Sequence, residues 1–229
     1  LAFKSILAIP EGGGLLARMK VNPNLFLLLV LMTSAVTQGD VVSDLITRAE
    51  NGEVVAQLEL ATIYANGEGV AKDQAAASQW VLKAAEQGDP NAQLALGQRY
   101  LKGEGVPKSS EEAVKWLTKA ADQGSGEAQM TLGGIYIAGR GVKKSSSEAA
   151  KWYMMSAEQG NAAAQCQIGR MHLTGAGVRK DDVEAYKWSS LAAAQGDMSA
   201  KKVLIFLKQR MTPEQVVENE MLTRDLLEL

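Results

Sequence analysis

Cysteine and histidine are almost absent, with Cys166 and His172 the single examples of each. One cysteine permits no intrachain disulfide. It suits a reducing compartment, and equally a periplasmic protein stabilised by its core alone. One Cys and one His supply neither a zinc quartet nor a tandem Cys/His site. Their spacing of six also turns them away from each other on a helix, against a Cys–His catalytic pair. A basic excess is missing too. Lys and Arg number 24 against 26 Asp and Glu, for a net charge of −2, with both signs mixed along the chain. No basic stripe is visible, so a nucleic-acid partner is not expected. Long apolar runs are lacking: the longest, Leu25–Met32, is well short of the about 20 residues that cross a bilayer. Yet 46% of the chain is apolar and 22% charged, which excludes a disordered chain and one wholly embedded in lipid.

What the N-terminus does have is the pattern of a secretory signal. Met19-Lys20 precedes the apolar run, and Thr33, Ser34, Ala35, Val36, Thr37, Gln38 and Gly39 follow it. A positive start, a short apolar stretch and small residues make a signal peptide over 19–39, cleaved after Ala35 or Gly39. No cysteine follows the run, which excludes a lipoprotein anchor. Residues 1–18 fit no part of this pattern and are read as sequence upstream of a start at Met19.

The rest of the chain repeats itself every 36 residues. Gly67-Glu-Gly69-Val70 returns as Gly103-Glu-Gly105-Val106, Gly139-Arg-Gly141-Val142 and Gly175-Ala-Gly177-Val178. Trp80, Trp116, Trp152 and Trp188, the only tryptophans, keep the same step. So do Gln57, Gln93, Gln129 and Gln165, and the series Ala85-Glu-Gln-Gly88, Ala121-Asp-Gln-Gly124, Ala157-Glu-Gln-Gly160 and Ala193-Ala-Gln-Gly196. A fixed period of this length marks a repeat array. The units run 53–88, 89–124, 125–160 and 161–196, within a repeat region 53–197. A capping helix at 40–52 precedes them, and capping helices at 198–229 follow.

Each unit reads as two helices. In the second, Ala92, Leu96 and Tyr100 fall on one face of a first helix, Pro90–Leu101, which stops at Gly103. A second helix starts at the cap Ser109, carries Trp116 and stops at Gly124. Ser109 with Glu112, Ser145 with Glu148 and Asp181 with Glu184 have the spacing of capping boxes, and Asp73 is a cap without one. Thr212 caps a closing helix with Pro213 at its first position. A small residue recurs in each first helix, at Ala61, Gly97, Gly133 and Gly169. It lets helices approach closely, with the tryptophan expected to fill the space left and so to lie in the core. A single hairpin cannot bury its apolar face alone, whereas stacked neighbours can.

The set Ala-Gln, Leu-Gly, Tyr, Gly-x-Gly-Val, Ala, Trp and Ala-Glu-Gln-Gly over residues 41–210 resembles the Sel-1-like repeats, relatives of the tetratricopeptide repeat. The tail Met211-Thr-Pro-Glu-Gln is similar to ends of bacterial members. The resemblance implies an all-α, right-handed superhelical solenoid of antiparallel helix pairs. It also implies a non-catalytic adaptor or scaffold whose partner is a protein or peptide, with no cofactor and no metal. With the signal peptide, the expected place is periplasmic or secreted. Two other functions compete. One is a hydrolase of β-lactams or cell-wall peptides. Ser199-Ala-Lys201-Lys202 spells Ser-x-x-Lys, but the Ser-Asp-Asn and Lys-Thr-Gly strings of that chemistry are missing. Secreted, cysteine-rich members of the family are linked with penicillin binding, but this chain lacks their cysteine pairs. The other is an exported effector that binds a host protein.

Partner-binding positions are sought where the units disagree. Glu59, Ala95, Thr131 and Gln167 share one first-helix position, and Thr62, Gln98, Gly134 and Arg170 another three residues on. Asn66, Lys102, Ala138 and Thr174 extend the same face. Packing does not dictate these residues, so they are expected to line a concave binding face. His172 takes the slot of Tyr64, Tyr100 and Tyr136, and Cys166 that of Leu58, Leu94 and Met130, so both read as packing residues. Lys143-Lys144 reads as a solvated loop before a helix cap.

Export gives the first testable outcome. Intact-mass measurement of the chain from its native host should find it beginning near Asp40. A cytoplasmic product that retains Leu25–Met32 would contradict export.

Overall fold

The computed structural model describes residues 41–227, and the signal-peptide segment lies outside them. Leu45–Leu229 form one compact unit; of the residues before it, only 41–44 are described, as helix. The described residues contain helices and no strand. A first helix, α1, covers 41–50. Four pairs follow: α2 (Val54–Asn66) with α3 (Gln74–Glu86), α4 (Pro90–Lys102) with α5 (Ser110–Asp122), α6 (Gly126–Ala138) with α7 (Ser146–Glu158), and α8 (Ala162–Thr174) with α9 (Asp182–Ala194). Then come α10 (Met198–Lys208) and α11 (Pro213–Leu227). From α2 to α10 each helix packs on its neighbours along the chain, so the pairs stack as an α-solenoid. At the end α11 returns onto α9.

The loop inside each pair is fixed by hydrogen bonds that its sequence supplies. Gly103 closes α4 at φ +79°, a left-handed conformation, and its N–H donates to the Arg99 carbonyl. Ser109 N–H donates to the Tyr100 carbonyl at 3.0 Å, which ties the end of the loop to the end of the helix. The Ser109 hydroxyl then accepts from Glu112 N–H at 3.2 Å. The Ser145 and Asp181 loops repeat this arrangement. Only half of the expected capping box therefore forms at these three sites. The Ser or Asp N–H is already committed to the loop, so Glu112 pairs with Lys115 instead. The reciprocal box forms at α11, where Thr212 N–H donates to Gln215 and Gln215 N–H to Thr212. First helices are capped as well, by Asp89, Ser125, Asn161 and Asp197.

The apolar core runs through each pair and on into the next. One cluster joins Ala113, Leu117, Ala120 and Ala121 of α5 to Ala128, Leu132 and Ile135 of α6. The next joins α7 to α8 through Ala149, Tyr153, Ala164 and Ile168. The small first-helix residues face the second helix of their own pair. A Cβ on Gly97 would lie 2.6 Å from Leu117, and one on Gly133 would lie 2.4 Å from Tyr153. The space is filled by Leu117 and Tyr153, not by the tryptophan one position earlier. Trp80, Trp116 and Trp152 are only half-buried, and of the four only Trp188 is buried. They lean on the edge of the preceding cluster. Lys83 and Lys119 lie 3.7 and 3.9 Å from the ring centroids of Trp80 and Trp116.

Adjacent units also meet through backbone. Gly105 has φ +68°, and a Cβ there would fall 1.8 Å from the Gln74 carbonyl oxygen of the preceding unit. Gly177 meets Ser146 of its predecessor in the same way. At the C-terminal end the packing changes so that the array can stop. The bulk that Tyr153 supplies in the third pair shifts back one helical turn, to Tyr186, with Ser189 in the Tyr153 slot. Tyr186 reaches α11, and its hydroxyl donates to Glu220 at 3.1 Å.

Two glycine substitutions separate backbone conformation from stacking. Gly124 has φ +92° with open space around its missing Cβ. Gly124→Ala should cost about 1–2 kcal/mol for the left-handed backbone alone. Gly105→Ala adds a collision with the neighbouring unit and should cost about 2–5 kcal/mol. Denaturant titrations that give the two variants equal stability would contradict the close approach.

Candidate functional site

The first-helix positions where the units differ are exposed or half-buried. Glu59, Thr62, Asn66, Lys102, Arg170 and Thr174 are exposed, and Gln98, Thr131 and Gln167 are half-buried. Successive first helices lie side by side, since Gln98 Nε2 of α4 donates to Glu127 Oε1 of α6 at 2.7 Å. Several of these side chains already have partners. The hydroxyls of Thr62, Thr131 and Thr174 donate back to the carbonyls of Leu58, Glu127 and Arg170, which turns their polarity inward. Asn66 donates to Glu68 at 2.7 Å, and Lys102 stands 3.6 Å from Glu104. The side chains of Glu59, Gln167 and Arg170 make no hydrogen bond or ion pair among the described residues. The row is a shallow polar surface. Its contacts with a ligand would come from a few uncommitted side chains and from the bare backbone at Gly134.

Residues that carry chemistry elsewhere are placed differently. Cys166 is buried with Ala192 and Ala200. Burial first, then the charge of Asp197, pushes its thiol up to about 11, far from a reactive thiolate. His172 Nδ1 lies 3.2 Å from the Arg179 carbonyl of the following loop. Ser199 and Lys202 are both exposed on α10. No group of three His, Cys, Asp or Glu among the described residues could hold a metal ion. No described helix is long and apolar enough to cross a membrane.

The buried glutamines have a role that spacing alone did not assign. Gln93, buried between α4 and the end of α3, donates from Nε2 to the Ala85 carbonyl at 3.2 Å. A carbonyl can only accept, so the amide nitrogen must face it and Oε1 faces the other way. Oε1 accepts there from Gln123 Nε2 at 2.8 Å. Gln57, Gln129 and Gln165 repeat the relay with Gln87, Gln159 and Gln195. The 36-residue identity of both glutamines was the signal. It needed the fold to show that the two belong together.

Comparison with known proteins agrees with this geometry. The Sel1 repeat family profile matches residues 54–89, 90–125, 126–161 and 162–197. No curated protein matches the chain. Among solved structures, a protective antigen present in uropathogenic Escherichia coli strains and displaying an SLR fold is 41% identical, with a TM-score of 0.70. The match covers 74% of this chain and 36% of that one, so this chain spans about a third of that relative. A Sel1 repeat protein from Oxalobacter formigenes is 37% identical with a TM-score of 0.68, covering 77% of this chain and 72% of that one. Sel1 repeats are generally modules of protein–protein interaction. Four matched repeats in unbroken succession, each closed by the same loop and joined by the same glutamine relay, place this chain in the Sel1 repeat family.

Proposed function

We propose that the chain is an exported scaffold that binds another protein along the exposed row of its first helices. The observation that carries the reading is the contrast within each first helix. Ala92, Gln93, Leu96 and Gly97 are buried and hold their type from unit to unit. The neighbouring row, from Glu59 to Thr174, is accessible and holds no type. Core packing accounts for the first set and leaves the second free for a ligand to select. A long solenoid face presents such residues at regular intervals, which suits an extended or helical segment of a partner. The sequence pattern at 19–39 supports export, and a relative that serves as a protective antigen accords with it.

The test uses a partner captured by cross-linking to the mature chain and then purified. Replacing Gln98, Lys102 and Arg170 together by alanine should weaken its binding at least about tenfold, the loss expected when central polar contacts are removed. Circular dichroism and melting temperature should not change. Affinity that survives this triple change, but is abolished by changes on the second-helix face, would move the site to the other side of the solenoid.

A further inference from the structure

The loop after each first helix carries a lysine at the 36-residue step: Lys72, Lys108, Lys144 and Lys180. All four are exposed. In the first two units the loops also carry Glu68 and Glu104, which balance the charge. In the last two those positions become Arg140 and Ala176, and Lys143 and Arg179 are added. Stacking brings these two loops together. A Cβ on Gly177 would lie 2.2 Å from the Ser146 carbonyl oxygen, so the Arg179-Lys180 loop rests on the residues just after Lys143-Lys144. Arg140, Lys143, Lys144, Arg179 and Lys180 thus share one edge of a chain whose net charge is −2.

The Gly141 loop stacks on Ser110 and Glu111 of the preceding repeat, so Glu111, whose carboxylate accepts from the Ser109 hydroxyl at 3.2 Å, bounds this edge on one side. The other carboxylates nearby do not neutralise it. Glu148 is held by Lys151 at 2.7 Å, Glu184 by Lys187 at 3.4 Å and Asp182 by Arg210 at 3.0 Å. Asp181 pairs with Arg179 at 3.4 Å while it caps α9. The other four cations have no ion pair among the described residues. Beside them opens a cleft of about 370 Å³ lined by Lys180, Asp182, Val183, Arg210, Met211 and Gln215, with apolar atoms from Val183 and Met211.

We propose that this edge of the third and fourth repeats is a second docking site, for an acidic segment of a partner protein. Charge complementarity selects an anionic occupant. The extent of the patch selects a short one. Two stacked loops about 10 Å apart match an extended segment of about three to six residues. A membrane surface or a nucleic-acid duplex would face the whole edge, including Glu68, Glu104 and Glu111 of the first two repeats, and would be repelled there. The adjoining cleft accepts an apolar side chain next to the acidic ones. The site is separate from the first-helix row, so either can fail alone.

The experiment is fluorescence anisotropy on the chain lacking residues before Asp40, with a labelled hexapeptide of alternating Asp and Glu that ends in leucine. Parallel arms use vesicles containing anionic phosphatidylglycerol, a short DNA duplex and a neutral peptide. The acidic peptide should bind, and binding should weaken steeply as salt is raised. Lys143→Glu, Lys144→Glu and Lys180→Glu combined should lower affinity at least tenfold. The milder pair Arg140→Gln and Lys143→Gln, both exposed, should lower it severalfold with an unchanged melting temperature. The triple change at Gln98, Lys102 and Arg170 should leave it intact. The proposal is overturned if the acidic peptide binds no better than the neutral one, or if the milder pair leaves its affinity unchanged. Preferential binding of the vesicles or the duplex overturns it as well.

Discussion

A buried primary amide, repeated once per unit, holds this solenoid in register. Gln93 is 4% exposed and Gln129 only 1%. An amide in such a place must find partners, because leaving one unsatisfied costs about 1–3 kcal/mol. Here the partners come from both directions. The carbonyl at the end of the preceding second helix takes the N–H, and a glutamine of the following second helix supplies the donor for Oε1. Gln123 extends the chain of bonds to the Gly88 carbonyl at 2.9 Å, and Gln195 does the same at Gly160. Apolar contacts tolerate a sliding or rotated neighbour. A directional relay across three helices does not, so each unit fixes the setting of the next.

The other constants of the repeat follow from that stacking. The small residue at Gly97 or Gly133 answers to Leu117 or Tyr153 within its own pair. The second loop glycine answers to backbone of the previous unit. Trp80 and Trp116 take a lesser place than their regular spacing suggests, each half-buried at the edge of the core with a lysine over its face. Where the array ends, the pattern is broken by residues that stop it. Lys201 stands where the relay glutamine would be, and Ile205, 63% exposed, where the small residue would be. Another standard second helix could not approach α10 there. The chain instead turns back through α11 and anchors by Tyr186, Lys208 and Glu220.

Much of this was legible in the sequence because it is local or periodic. The 36-residue step gave the helix pairs, the glycine stops and the second-helix caps. Features that depend on neighbours were not. The capping boxes at Ser109, Ser145 and Asp181 look complete by spacing, but the loop bond to Tyr100, Tyr136 or His172 takes the N–H that the box needs. Tryptophan was assigned to the core by size, although exposure depends on which side of the second helix faces the preceding unit. The variable first-helix row was readable as non-packing positions, but not that the threonine hydroxyls turn back on their own helix. The basic edge was invisible because Arg140, Lys143 and Lys144 stand about 40 residues from Arg179 and Lys180. They become one patch only when consecutive loops stack.

The glutamine relay is best tested by a double-mutant cycle of Gln93→Leu and Gln123→Leu, with stability read from denaturant unfolding. If the relay couples adjacent units, Gln93→Leu alone destabilises by about 1–3 kcal/mol, since it also strips the Gln123 amide of an acceptor. The double variant should then lose less than the sum of the singles, with an interaction energy of about 0.5–3 kcal/mol, as for groups in direct contact. Single losses that add to within about 0.5 kcal/mol, or a Gln93→Leu chain as stable as the parent, would show that apolar packing alone sets the stacking.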